Sequence, residues 1–263
     1  MTGVPTDTEG EALPGAEAEA GRRPWPAPAR PWAMLQTWHD LLFAHWPVDP
    51  AQLCASIPAP LRLDTFEGQA WVGVVPFRMS GIQLRQVPLA VPWLSAFPEL
   101  NVRTYVTAPG GEKPGVYFYS LDAANPIAVA IARRWYGLPY FHARMSCRRA
   151  GDWVSYMSHR THPGAPMADV VGQYRSIGPV LRVGPRSLEA WLTARYCLYV
   201  ADARGRVRRG DIDHDPWPLQ PAEAELSLGN LVAQHGIHLL DTAPALHVAR
   251  RLAVRAWTLT PLG

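Results

Sequence analysis

Apolar and polar positions alternate most clearly over residues 97–106, FPELNVRTYV. In an extended chain successive side chains point to opposite sides. This segment therefore carries Glu99, Asn101, Arg103 and Tyr105 on one face, and Leu100, Val102, Thr104 and Val106 on the other. Strand character also runs through LRLDTF, QAWVGVVPF and GVYFYSLDA, and the APGGEKPG before the last of these reads as a hairpin-like turn rich in Gly and Pro. FHARMSCRR, WVSYMSHRT, RYCLYVAD and GRVRRGDID predict four further strands, the last two joined by a turn at 203–205. WHDLLFAHW, from Trp38 to Trp46, fits a short helix or a buried strand by periodicity alone; Pro47 and the Asp-Pro that follows favour a strand ending there.

Helices are few. VDPAQLCASIP predicts one short helix, with Asp49 as N-cap, Pro50 at the first helical position and Pro58 just past the end. NPIAVAIARRWYG predicts a second, capped by Asn125 and stopped at Gly137. Strands dominate and most neighbours read as antiparallel, which defines a β-rich α+β domain over residues 32–263. Residues 1–31, rich in Pro, Ala, Glu and Gly, offer little to bury and read as a disordered tail.

Composition narrows the function classes. A length of 263 residues with 48% hydrophobic positions supports a sizeable core. The net charge of +3 is carried by scattered arginines, with Lys113 as the single lysine, a poor footprint for nucleic acid. Cys54, Cys147 and Cys197 are odd in number and lack C-x-x-C spacing, so reduced thiols are expected. No apolar run nears the roughly 18 residues of a membrane span, and the N-terminus lacks a signal-peptide pattern. A soluble, cytoplasmic protein without membrane contact is expected, with oligomerisation left open. Glycine-rich phosphate loops, the G-x-S-x-G elbow and H-E-x-x-H are all missing from the chain, and no cofactor is expected. His159 with His162, and His235 with His238, are spaced by three but lack neighbouring ligands in a recognised pattern, which disfavours metal.

Glu99, Asn101 and Arg103 are the leading candidates. On an open sheet they would form a wet cross-strand group; in a closed barrel they would line a cavity, where a buried acid and guanidinium must pair or bind something. Arg133 and Arg134 sit in an apolar run, as helix-end snorkelling groups or as a carboxylate clamp. Tyr140, His142 and Arg144 share one face of the next strand, either as a hydrogen-bonded cluster or as part of a site. Cys197 shares a face with Arg195 but fits a buried, inert thiol.

Three stretches, HWPVDPAQLCASIPAPLRLDTFEGQAWVGVVPF, FPELNVRTYV with GVYFYSLDA, and RYCLYV with HDPWPL, resemble the YqjF-like family of uncharacterised bacterial proteins. The likeness runs from about Trp38 to Leu219. That family is grouped by fold with acetoacetate decarboxylase, which implies antiparallel sheets curled into a cone-like barrel around a ligand cavity. PAPLRLD resembles the Pro-x-Pro-Leu-x-x-Asp element of the decarboxylase, and Glu99 falls on one of its functional glutamates. In IARRWYGLPYF, Arg133 and Pro139 match, but the two adjacent lysines of the decarboxylase are Tyr140 and Phe141 here, and a second acid is Val72. Imine chemistry needs a primary amine of lowered pKa, for which the handling of paired lysines by acetoacetate decarboxylase is a standard example. The resemblance thus implies a barrel cavity for a small organic acid or carbonyl compound, with Glu99 as acid or base and Asn101, Arg103, Arg133, Tyr140 and His142 around it. It also implies that the Schiff-base reaction is lost. The competing expectation is a non-catalytic structural or interaction domain, distinguished by whether these residues are enclosed or spread over the outer surface.

Overall fold

The computed structural model describes residues 23–86, 96–202 and 204–262. Thirteen strands are found among them. They are β1 (Met34–Val48), β2 (Arg62–Leu63), β3 (Ala70–Leu84), β4 (Phe97–Thr107), β5 (Gly115–Ala123), β6 (Tyr140–Ala150) and β7 (Trp153–Arg160). β8 (Asp169–Ser176), β9 (Cys197–Ala201), β10 (Val207–His214), β11 (Gln220–Ser227), β12 (Ala245–Ala256) and β13 (Thr260–Pro261) follow. The short helices are α1 (Pro50–Cys54), α2 (Pro126–Ile131), which continues as a π-type turn through Tyr136, and α3 (Leu188–Thr193). No helix among the described residues is long and apolar enough to cross a membrane.

The strands form one sheet that closes on itself. β4 pairs with both β3 and β5, completing a nine-strand ring through β6, β7, β8, β11, β12 and β1. A second closure runs from β5 through β9 and β10 to β12. β4, β5, β3, β1 and β12 thus belong to both rings, and each of their faces is covered. Pairing is antiparallel except for β5 with β6 and β5 with β9. The helix and turn between β5 and β6 make the first of these possible, because parallel neighbours need a crossover.

The nine-strand ring is filled, not hollow. Leu42, Ala44, Trp46 and Val48 of β1 meet Val72, Val74, Leu100, Val102, Tyr156 and Tyr174, with Leu231, Val232 and Ile237 plugging one end. The opposite faces of the shared strands bury Leu41, Phe43, Val75, Phe77 and Phe97 against Trp217 and Leu219. β1 serves both layers by alternation, and a bulge between His39 and Ala44, with Asp40 at φ 52, changes which positions face each of them. The extra residue shifts the alternation by one, so Trp38 before it and Leu41 and Phe43 after it pack in the same layer. Asp40 is held there by Arg149 at 2.6 Å, and its carbonyl accepts the Tyr174 hydroxyl.

The predicted caps are in place. The Asp49 carboxylate accepts from Ala51 N, and the Asn125 side chain accepts from Ile127 N and Ala128 N. Gly137 ends the helical run in the left-handed region, at φ 64. WHDLLFAHW is strand, inside β1. Of LRLDTF only Arg62–Leu63 is strand, with Phe66 adding an isolated bridge to Gln69. The proposed 1–31 tail is corrected at its C-terminal end. Arg23 is buried, with its guanidinium 3.2 Å from Asp213, Trp25 packs against Tyr196, and Arg30 binds Thr258. An arginine that meets a buried carboxylate and an indole that meets a ring supply the contact that composition alone does not reveal. Residues 1–22 lie outside those described.

Candidate functional site

Closure of the sheet buries the polar row of β4. Glu99, Asn101 and Arg103 are 3%, 7% and 9% exposed, and Tyr105 is fully enclosed. In register, Gly73 of β3 sits between His45 of β1 and Arg103 of β4. A Cβ at Gly73 would stand 2.8 Å from the His45 ring and 3.5 Å from Arg103 Cγ. Glycine at that position is what lets the two side chains close over the strand between them.

Glu99 is not the ion-pair partner of Arg103. Its carboxyl accepts the Tyr140 hydroxyl at 2.8 Å, and the Asn101 side chain also hydrogen-bonds it. Burial pushes the Glu99 carboxyl up to about 8 despite these two bonds, and the nearby Asp122 adds to the rise. Glu99 is therefore mainly protonated at neutral pH, a carboxylic acid able to donate. Burial also pushes the Tyr140 phenol well above its usual range. Tyr140 thus sets a neutral phenol directly on the candidate acid. Phe141, the next residue, lies under Arg160, with the guanidinium carbon 4.3 Å from the ring centroid.

Arg103 lies against aromatic faces. Its guanidinium carbon is 5.4 Å from the Phe43 ring and 5.8 Å from Tyr105. Its Nε is buried without a hydrogen-bond partner, and no carboxylate among the described residues forms an ion pair with it. Such a cation is costly unless something neutralises it. Arg195, which also lies against the Tyr105 ring, does have its acid: Asp64 Oδ2 at 2.6 Å.

His45 is a packed, hydrogen-bonded histidine whose Nε2 is 2.6 Å from the Tyr105 hydroxyl. Burial, with Arg103 and His247 nearby, lowers its pKa well below the usual value, so the ring is neutral. Its Nδ1 is buried and has no hydrogen-bond partner among the described residues. The alternation of β4 identifies Glu99, Asn101, Arg103 and Tyr105 as a row, but the neighbouring His45 is revealed only by the β1–β3–β4 register.

The remaining candidates are placed differently. Arg133 is exposed at the end of the helical run, where it donates to the Tyr140 carbonyl at 2.6 Å and lies over Phe141. It braces the strand that carries Tyr140 and is not brought beside Arg103. His142 is in register with Ala123, itself opposite Glu99, but its Nδ1 is bonded to Thr161 Oγ1 at 3.0 Å. Lys113 lies in the turn before β5, its carbonyl accepting the Tyr199 hydroxyl. Glu99 pairs at the far end of the same hairpin, opposite Ala123, roughly 25 Å away at strand rise. Burial pushes the Cys197 thiol up to about 12, in keeping with an inert core cysteine. No group of three or more metal-ligating side chains occurs among the described residues.

Comparison with known proteins places this architecture. The fold is that of acetoacetate decarboxylase: the enzyme from Legionella pneumophila superposes with a TM-score of 0.62 at 13% identity, covering 97% of this chain and 98% of that one. The enduracididine biosynthesis enzyme MppR, in a structure with pyruvate, gives 0.61 at 10% identity, covering 89% and 92%. An acetoacetate decarboxylase-like enzyme from Sphingomonas wittichii RW1 gives 0.59 at 14%, covering 91% and 98%. At such identities the likeness is one of fold. Within this fold the chain belongs to the DUF2071 family of uncharacterised conserved proteins, whose model matches residues 35–253. It is 45% identical over 228 residues to the uncharacterised protein YqjF of Bacillus subtilis strain 168, covering 87% of this chain and 92% of that protein.

Proposed function

We propose that this protein binds a small organic acid or carbonyl compound in the cytoplasm, with Arg103 taking the carboxylate and Glu99 exchanging a proton with the ligand. The observation that carries the reading is the buried Arg103, a cation for which the described residues supply no acid. A carboxylate arriving from solution would supply it and form charge-assisted hydrogen bonds. The MppR structure with pyruvate supports the choice of ligand class, since it has a short organic acid bound to a protein of the same fold. Three free cysteines fit a reducing compartment.

The chemistry is not that of a Schiff-base decarboxylase. Tyr140 is hydrogen-bonded to the acid that an amine would serve, and phenol forms no imine. A neutral Glu99 within a buried site is instead suited to general acid catalysis. Thermal-shift measurements with pyruvate and with its methyl ester test the reading. The acid stabilises the wild type, the ester does not, and Arg103→Met abolishes the shift. Equal shifts in Arg103→Met and wild type would overturn it. Borohydride treatment with acetoacetate or pyruvate leaves the mass of the protein unchanged; a covalent adduct on Lys113 would overturn the exclusion of imine chemistry.

A further inference from the structure

β6, β7, β8 and β11 belong to the nine-strand ring alone, so the second ring does not cover their outer face. Alternation sets what that face shows, and register orders it in rows across the four strands. One row is Arg148, Ser155, Gln173 and Glu225; the next is Ser146, Met157, Val171 and Ser227. A sheet face left to water is ordinarily polar. Here the two central positions of the second row are apolar, Met157 at 42% and Val171 at 57% exposed. Serines and Gly172 around them leave an open depression of about 600 Å³.

Charge divides the same face. Arg144 and Arg148 stand exposed on β6 at one margin, and Glu225 stands exposed on β11 at the other. Arg148 and Glu225 are three strand spacings apart, about 14 Å. The Glu225 carboxylate accepts instead from the Gln173 amide at 2.9 Å, a neutral donor that leaves its charge uncancelled.

A second copy laid face to face meets both features. A two-fold axis running along the strands, between β7 and β8, keeps each residue at its height and reverses the order of the strands. Every row then faces itself read backwards. Arg148 of one copy stands over Glu225 of the other, twice, and Met157 stands over Val171, twice. The long, unbranched Met157 side chain fills the depression of the facing copy. An axis running across the strands would instead set β6 on β6 and bring arginine against arginine. Stacked sheets accept the aligned arrangement, and an apolar centre within a polar margin is the anatomy of a specific interface.

We infer that the outer face of β6, β7, β8 and β11 is the interface of a two-fold homodimer, held by reciprocal Arg148–Glu225 pairs around a Met157–Val171 centre. Four strands of about eight residues cover roughly 500 Å² per copy at sheet spacing. The total of about 1,000 Å² stands at the lower end for a specific interface. The dimer therefore dissociates in the micromolar range.

Sedimentation velocity on the full chain, from low micromolar to submillimolar concentration, tests this. The wild type passes from monomer to dimer. Arg148→Glu and Glu225→Arg each weaken dimerisation at least about tenfold, because like charges then face each other at both margins. An equimolar mixture of the two variants recovers the wild-type dimer. One copy brings acids to both positions and the other brings arginines, so every facing pair is again opposite in sign. Val171→Asp puts a charge in the apolar centre and abolishes the dimer. All three side chains are exposed in the single copy, so each variant keeps the wild-type circular dichroism spectrum. A wild type that stays monomeric throughout overturns the inference. A dimer indifferent to Val171→Asp and to both charge reversals overturns it too, by placing the contact on another surface. A mixture that associates no better than its components overturns the reciprocal pairing.

Discussion

An acid and an arginine are buried on each side of the β4–β5 hairpin, and only one side pairs them. On the inner side, within the nine-strand ring, Asp122 of β5 and Arg160 of β7 meet at 2.8 Å, both about 1% exposed. Gln234 takes a further guanidinium N–H and the Phe141 ring covers its face. On the other side, Glu99 turns to Tyr140, and Arg103 rests on Phe43 and Tyr105 with no ion-pair partner among the described residues. The two arginines have comparable burial and opposite electrostatic situations. Arg160 is matched within the fold and serves as part of its frame. Arg103 is left for a charge that the described residues do not supply. Even the matched side shows the cost of burial: desolvation outweighs Arg160 and pushes the Asp122 carboxyl up to about 6.

The sharpest way to break the comparison is to remove the matched arginine. Arg160→Met strands Asp122 in the barrel and is expected to cost about 3–5 kcal/mol in urea denaturation near neutral pH. A loss below about 1 kcal/mol would show that the inner pair is not structural. The next effect is one of pH. Glu99 has a folded-state pKa raised from 4.5 to about 8. The folded chain then holds this proton more tightly than the unfolded chain does. The stability it brings is present while the group is protonated, and is lost as pH rises through that window. Between about pH 5 and pH 8 the loss is on the order of 3 kcal/mol. Glu99→Gln cannot ionise and removes that slope, so wild type and variant should diverge most at the alkaline end. Parallel stability profiles for the two proteins would mean that Glu99 titrates normally.

The smallest effect sharpens the contrast from the other side. Without ligand, Arg103→Met replaces an unpaired buried cation with an apolar chain of similar length, losing only its contacts with two rings. Its unfolding free energy is expected to lie within about 1 kcal/mol of wild type, while organic-acid binding is abolished. A loss as large as that of Arg160→Met would point to an acid partner for Arg103.

The sequence by itself determined the local features, since each depends on residues close in the chain. The alternation of β4 and β5, the Asp49 and Asn125 caps and the stop at Gly137 all follow from side-chain period or backbone geometry. Other elements were hidden. β8 and α3 were not foreseen, β11 carries Pro221 and an Ala-Glu alternation that does not read as a strand, and β12 places Arg250 and Arg251 side by side. Those strands are specified by their neighbours, because pairing partners supply the hydrogen bonds that their own pattern fails to announce. The candidate site divides in the same way. Its row of Glu99, Asn101, Arg103 and Tyr105 was visible as one face of one strand, with Tyr140 reached through a family likeness. Which acid meets which arginine was decided only in three dimensions. The closure that buries the row, the Gly73 gap that brings His45 to Arg103 and the turn of Glu99 toward Tyr140 are set by register between strands far apart in the chain. Alternation says which way a side chain points, but its partner depends on how the sheet closes.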